Sequence, residues 1–162
     1  MAVLDGHGSC NVQGPTRVRG RSGRPGERSM LVGDCMTRNV IAVGPEESCA
    51  RAHDLMQAAG IARLPVLDVG RLVGILTDGD LVRRVPYAPL ASDRRESQSL
   101  IMPYVKVGGV MTYAPVTVIP GMVLDEAVTL MCARGINTLL VVDDESLVGV
   151  LTRRDTLSVC AP

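Results

Sequence analysis

Apolar and polar positions along this chain change period in a fixed order, and that order is written twice. Val40 to Val43 form a short β-prone stretch that ends in a turn at Pro45. Ala52, Leu55, Met56 and Ala59 then recur at i, i+3, i+4 and i+7, which gives a helix one apolar stripe. Ser48 is placed to cap that helix and Gly60 to stop it. Two β-rich runs follow, Leu64 to Leu67 and Leu72 to Leu76, joined across Asp68-Val69-Gly70-Arg71 by a connection of hairpin length. Thr77 caps a short second helix, so the unit reads β-α-β-β-α.

Sliding the chain by 75 positions lays a second copy on the first. Gly33 meets Gly108, Met36-Thr37 meets Met111-Thr112, and Val43-x-Pro45 meets Val118-x-Pro120. Further on, Ala52-x-x-Leu55-Met56 meets Ala127-x-x-Leu130-Met131, and Gly60-Ile61 meets Gly135-Ile136. The run Leu72-Val73-Gly74-x-Leu76-Thr77-x-x-Asp80 meets Leu147-Val148-Gly149-x-Leu151-Thr152-x-x-Asp155. Of the 50 positions from 33 to 82, 20 are identical to their partners without a gap, so this is duplication rather than shared composition. A unit of about 50 residues is too small for a robust core, which predicts an α/β chain of the α+β kind with two copies packed about a pseudo-twofold axis. The expected division is a Gly- and Arg-rich extension over residues 1–30, a first domain over 31–84, a linker over 85–107 with helix across Glu96 to Met102, and a second domain over 108–160. Two similar clefts between the copies are the default ligand sites.

The 162 residues carry seventeen basic and seventeen acidic groups, but not evenly. Arg17, Arg19, Arg21, Arg24 and Arg28 stand against Asp5 and Glu27 in the first thirty residues, which leaves the body net acidic. That segment is Gly-rich and has no apolar period, so it is expected to be disordered, either a bland tail or an over-long start with Met30 as the natural first residue. Nucleic-acid binding is disfavoured, because the chain has no Phe, no Trp and three Tyr to stack on bases. No apolar run approaches the roughly 20 residues of a membrane span, and a cytoplasmic location is expected. Cys10, Cys35, Cys49, Cys132 and Cys160 are odd in number and lack a Cys-x-x-Cys pair, which argues against a disulfide framework and a zinc site.

Thr77-x-x-Asp80 and Thr152-x-x-Asp155 carry the chemistry. A purely structural reading makes them helix caps. A functional one gives a phosphate oxygen to the helix start and the threonine hydroxyl, and both hydroxyls of a ribose to the aspartate. Met36 and Met111 can pack beside an adenine, whereas Met56 and Met131 belong to the apolar stripes. His7 and His53 have no second ligand at metal spacing. No Ser, Cys or Lys has an identifiable base and orienter, so no catalytic residue and no metal site are expected.

With these motifs the chain resembles the tandem CBS domain pair, or Bateman module, over about residues 31 to 159. The resemblance implies a non-enzymatic sensor with no obligatory cofactor that takes AMP, ADP, ATP or S-adenosylmethionine between the repeats. It also implies a homodimer through the domain helices and a regulated partner protein of unknown identity; a structural homodimer without a physiological nucleotide is the alternative. In the resembling family the sites are crossed. One cleft would then use Thr112, Val116 and Thr117 against Arg63, Thr77 and Asp80, and the other Thr37, Ile41 and Ala42 against Asn137, Thr138, Thr152 and Asp155. On this reading the Arg63 cleft is the better equipped, since Arg63 can meet a phosphate and Thr138 cannot do so with charge. Asp78, standing where the other copy has Arg153, counts against it.

Overall fold

The hairpins are what the rest of the fold is built on. The computed structural model describes residues 17–18, 29–86 and 94–159. In the first copy β2 (Arg63–Asp68) and β3 (Arg71–Thr77) pair antiparallel, and in the second β6 (Thr138–Asp143) and β7 (Ser146–Thr152) repeat the register. Both turns put two residues at positive φ, Val69 and Gly70 at 45° and 78°, Asp144 and Glu145 at 42° and 67°. That is the backbone of a two-residue turn of type I′, which suits Asn or Gly and strains a β-branched side chain. Val69 is 96% exposed and gains nothing from packing there. Val69→Asn is expected to stabilise the fold by about 1 kcal/mol and raise the midpoint of thermal unfolding by about 2–4 °C; an unchanged midpoint would mean that the turn is unstrained.

Helices α2 (Cys49–Ala59) and α5 (Leu124–Arg134) lie on the hairpins, burying Cys49, Ala52 and Met56 in one copy and Leu124, Ala127 and Met131 in the other. Ser48 accepts from Arg51 N, and Gly60 and Gly135 end the helices at φ 63° and 61°, a left-handed turn that glycine takes without penalty. The β-prone stretch before each helix is thinner than the sequence predicts. Thr117–Val118 forms β5, parallel to β6, but its counterpart is a single bridge between Val43 and Val66.

The core divides differently from the sequence. The turn α1 (Val32–Cys35) opens the first copy, yet Val32 and Met36 are buried among Val118, Met131 and Leu139 of the second. Val107, Val110 and Met111 in turn fill the core of the first copy beside Met56, Leu64 and Leu76. The backbone follows: Thr37 exchanges two hydrogen bonds with Val150, each 2.9 Å, and β4 (Thr112–Tyr113) pairs with β3. Each opening methionine lies over a glycine of the other copy, Met111 over Gly74 and Met36 over Gly149. Both are core side chains, so the expectation that they flank an adenine is corrected. Between the hairpins Leu72, Leu140 and Val142 close a third apolar cluster. The two sheets, one ordered β5-β6-β7 and extended at its β5 edge by β1 (Arg17–Val18), the other β2-β3-β4, thus interlock in an α+β fold.

The linker helix begins earlier than Glu96. It is α4 (Arg94–Ile101), and its buried Gln98 donates from Nε2 to the carbonyls of Val82 at 2.8 Å and Val85 at 3.3 Å, closing the end of α3 (Asp78–Arg84). Of the segment expected to be disordered, Arg17–Val18 forms β1, parallel to β5, which corrects the expectation at those two residues. Most of the remainder, with His7 and Cys10, lies outside the described residues, as does Cys160. Among the described residues no helix is long and apolar enough to cross a membrane.

Candidate functional site

The exchange of opening turns brings the segment after Met36 beside the end of β7 and the start of α6 (Arg153–Val159), and a cleft of about 820 Å³ opens there. This is within the range of small-molecule sites. One wall is Thr37, Asn39, Val40 and Ile41; the facing wall is Asn137, Thr138, Val150 and Thr152 to Asp155, with Leu157 beyond. The turn from Ala59 through Arg63 and Pro65 closes an end. Of the residues the sequence assigns to this cleft, Thr37, Ile41, Asn137, Thr138, Thr152 and Asp155 line it, and Ala42 does not.

Arg63 bears on both clefts. The hairpin register keeps it beside Thr77, as Thr138 is beside Thr152, and it also lines the cleft of Thr37 and Asp155. Its guanidinium has no hydrogen-bond or ion-pair partner among the described residues. With Arg153 and Arg154 it sets three guanidiniums around a cleft whose one lining carboxylate is Asp155. Arg153 and Arg154 were legible as a basic pair directly after Thr152; Asn39 and Val40 carry no pattern that marks them.

Two side-chain oxygens of residues lining this cleft lack a partner among the described residues. Thr138 is 7% exposed, and its Oγ1 is buried without a hydrogen bond. A hydroxyl left so costs about 1–3 kcal/mol. Asp155 Oδ2 accepts from Thr152 N and Thr152 Oγ1, both at 2.7 Å, while Oδ1 has no partner among the described residues. The threonine hydroxyl has one proton and gives it to the aspartate. Thr152 thus caps α6 in this arrangement, and Thr77, whose Oγ1 donates to Asp80 Oδ2 at 2.6 Å, caps α3 in the same way.

The residues assigned to the other cleft come together less openly. Thr112 is exposed in β4 and Val116 half-buried, but Thr117 is 1% exposed in β5, flanked by β1 and β6, and so offers its side chain to no ligand. Asp80 is buried beside Arg84. Elsewhere, His53 is half-buried on α2 and 3.9 Å from Asp54. Burial pushes the Cys49 thiol up to about 11, which makes it inert at neutral pH. Among the described residues no group of three His, Cys, Asp or Glu is placed to hold a metal.

Known proteins bear on this arrangement. The family model of the CBS domain matches residues 32–87 and again 107–161. The chain is 32% identical over 124 residues to the CBS domain-containing protein YhcV of Bacillus subtilis, covering 76% of this chain and 81% of that one. It is 37% identical over 119 residues to inosine-5'-monophosphate dehydrogenase of Korarchaeum cryptofilum, covering 73% of this chain but 22% of the enzyme. Among solved structures it resembles CBSX2 in complex with AMP, with a TM-score of 0.67 and 30% identity over 80% of this chain and 95% of that one. CBSX2 is a CBS-pair protein from Arabidopsis thaliana.

Proposed function

The chain belongs to the CBS domain family, with the domain present twice, and on that premise we propose that it is a non-enzymatic regulatory module that binds an adenosine nucleotide, AMP, ADP or ATP, in the cleft lined by Arg63 and Asp155. The observation that carries this reading is Asp155 Oδ1, which has no partner among the described residues, in a cleft that Thr138 and Arg63 also line. Asp155 Oδ1 accepts a ribose hydroxyl; Arg63 and Arg153 meet phosphate oxygens. Val40, Ile41 and Val150 supply the apolar surface on which a purine lies in a chain with no Phe or Trp. Three arginines against one carboxylate favour a phosphate over the sulfonium cation of S-adenosylmethionine. That a similar protein is solved with AMP supports the choice of ligand class.

Binding is read as a change in the geometry presented to a regulated partner. The known enzyme in the comparison is matched over 22% of its length, so its activity is not carried over to this chain. The homodimer stands on the same family ground and is checked by light scattering with and without AMP. The ligand reading is tested by thermal shift across AMP, ADP, ATP, S-adenosylmethionine and NADH. At a hundredfold excess over the dissociation constant, the nucleotide adds about 2.7 kcal/mol and raises the midpoint by about 5–10 °C. No shift with AMP, ADP or ATP would leave the dimer without a nucleotide as the reading.

A further inference from the structure

The duplication makes two aspartates equivalent in sequence, and one side chain makes them unequal in chemistry. Resting on the nucleotide reading above, we infer that Arg84 holds the cleft at Asp80 closed, so that each chain takes one nucleotide, at Asp155, and the Asp80 cleft is a latent second site.

Both aspartates sit in the same capping box. Thr77 N and Oγ1 donate to Asp80 Oδ2 at 3.0 and 2.6 Å, as Thr152 does to Asp155. The second carboxylate oxygen differs. Asp155 Oδ1 has no partner among the described residues, whereas Asp80 Oδ1 lies 3.5 Å from Arg84 Nε and the Asp80 side chain is 6% exposed. Arg84 Nη1 also donates to Val110 O at 3.0 Å and Met111 O at 2.8 Å. The guanidinium therefore ties α3 of the first copy to the opening turn of the second, the two sides between which a ligand at Asp80 would enter. Seventy-five residues on, the chain has Val159, which carries no donor.

The charges point the same way. A sugar hydroxyl at Asp80 would have to displace a charge-assisted contact to the one oxygen that is not already capping α3. A phosphate would meet Asp78, where the open cleft has Arg153. Arg84 is itself 46% exposed, so its ion pair is modest and removable without collapse of the core.

The test is the stoichiometry of AMP binding to the full chain by titration calorimetry, with circular dichroism as the check on folding. Wild type is expected to take one AMP per chain. Arg84→Ala, and Arg84→Met, which keeps the length of the stem without its donors, are expected to take two. Arg84→Ala combined with Asp155→Ala is expected to retain one, lost on adding Asp80→Ala. Two AMP per wild-type chain, or one per chain in the folded Arg84 variants, overturns the inference and leaves the nucleotide reading standing. No binding by wild type with one AMP gained in Arg84→Ala defeats the Asp155 reading instead, and no binding by any of these proteins defeats both.

Discussion

Asp155→Ala is expected to weaken AMP binding by about 100-fold. The carboxylate offers one free oxygen to the sugar, and a hydrogen bond to a charged acceptor contributes about 1.5–3 kcal/mol, or roughly 10- to 150-fold in affinity. The substitution also removes the reciprocal half of the capping box, because Oδ2 receives both Thr152 N and Thr152 Oγ1 at 2.7 Å. Losing it costs about 1 kcal/mol of stability and leaves the protein folded, with Thr152 still capping α6. Asp80→Ala separates the two effects. It loses the same reciprocal contact, with Thr77, but lies beside Arg84 and away from the open cleft, so it should lower the unfolding midpoint while leaving AMP affinity within about twofold. Equal losses of affinity in the two variants would mean that the aspartates act through stability alone.

Gly74→Val is expected to destabilise the fold by about 3 kcal/mol. A Cβ at Gly74 would stand 2.6 Å from Met111 Sδ and 2.9 Å from the backbone oxygen of Thr112. The methionine can shift, but the carbonyl belongs to β4, whose register with β3 pairs Gly74 with Tyr113 and Ile75 with Thr112. Relief therefore requires the opening turn of the second copy to leave the core of the first, and overpacking of this kind costs about 1–3 kcal/mol before the β-branched group is added. Gly109→Ala is the control. Nothing lies within 4 Å of a Cβ there, and the change should stay within about 0.5 kcal/mol. Denaturant midpoints of the two variants read the difference. A small effect at Gly74 would contradict the exchange of opening turns.

What the sequence made legible were features written locally and twice. Ser48, Gly60 and Gly135 bound the helices through their own backbone and neighbouring N-H groups, so residue type and spacing suffice to find them. The Thr-x-x-Asp boxes are legible for the same reason, as geometry spanning three residues. Their partners were harder to read: that the Thr152 hydroxyl lies 2.7 Å from the Asp155 carboxylate is a matter of side-chain geometry that spacing does not give. The exchanged turns were hidden because a 75-residue offset says which positions correspond, not which copy they pack into. Met36 and Met111 could thus be placed beside a ligand when each is core to the other copy.

Arg84 escaped for a related reason, as did the second cleft that Arg63 lines. Neither arginine has a counterpart of its own kind, since Thr138 and Val159 stand at the matching positions, so the duplication that reveals the fold is silent about them. Arg63, paired with Thr77 in its own hairpin, also lines the cleft of Asp155, and Arg84 reaches Val110 and Met111 across 26 and 27 residues of chain. Pseudo-symmetry supplied two candidate clefts, and these two cations, which break the symmetry, distinguish them.

The most direct measurement is a crystal structure of the full chain grown with saturating AMP. It is expected to show one nucleotide per chain, with a ribose hydroxyl on Asp155 Oδ1, the phosphate within hydrogen-bond reach of Arg63, and Arg84 still on Asp80. AMP bound at Asp80 in the wild-type chain, or a cleft at Asp155 that stays empty under saturation, would contradict the account.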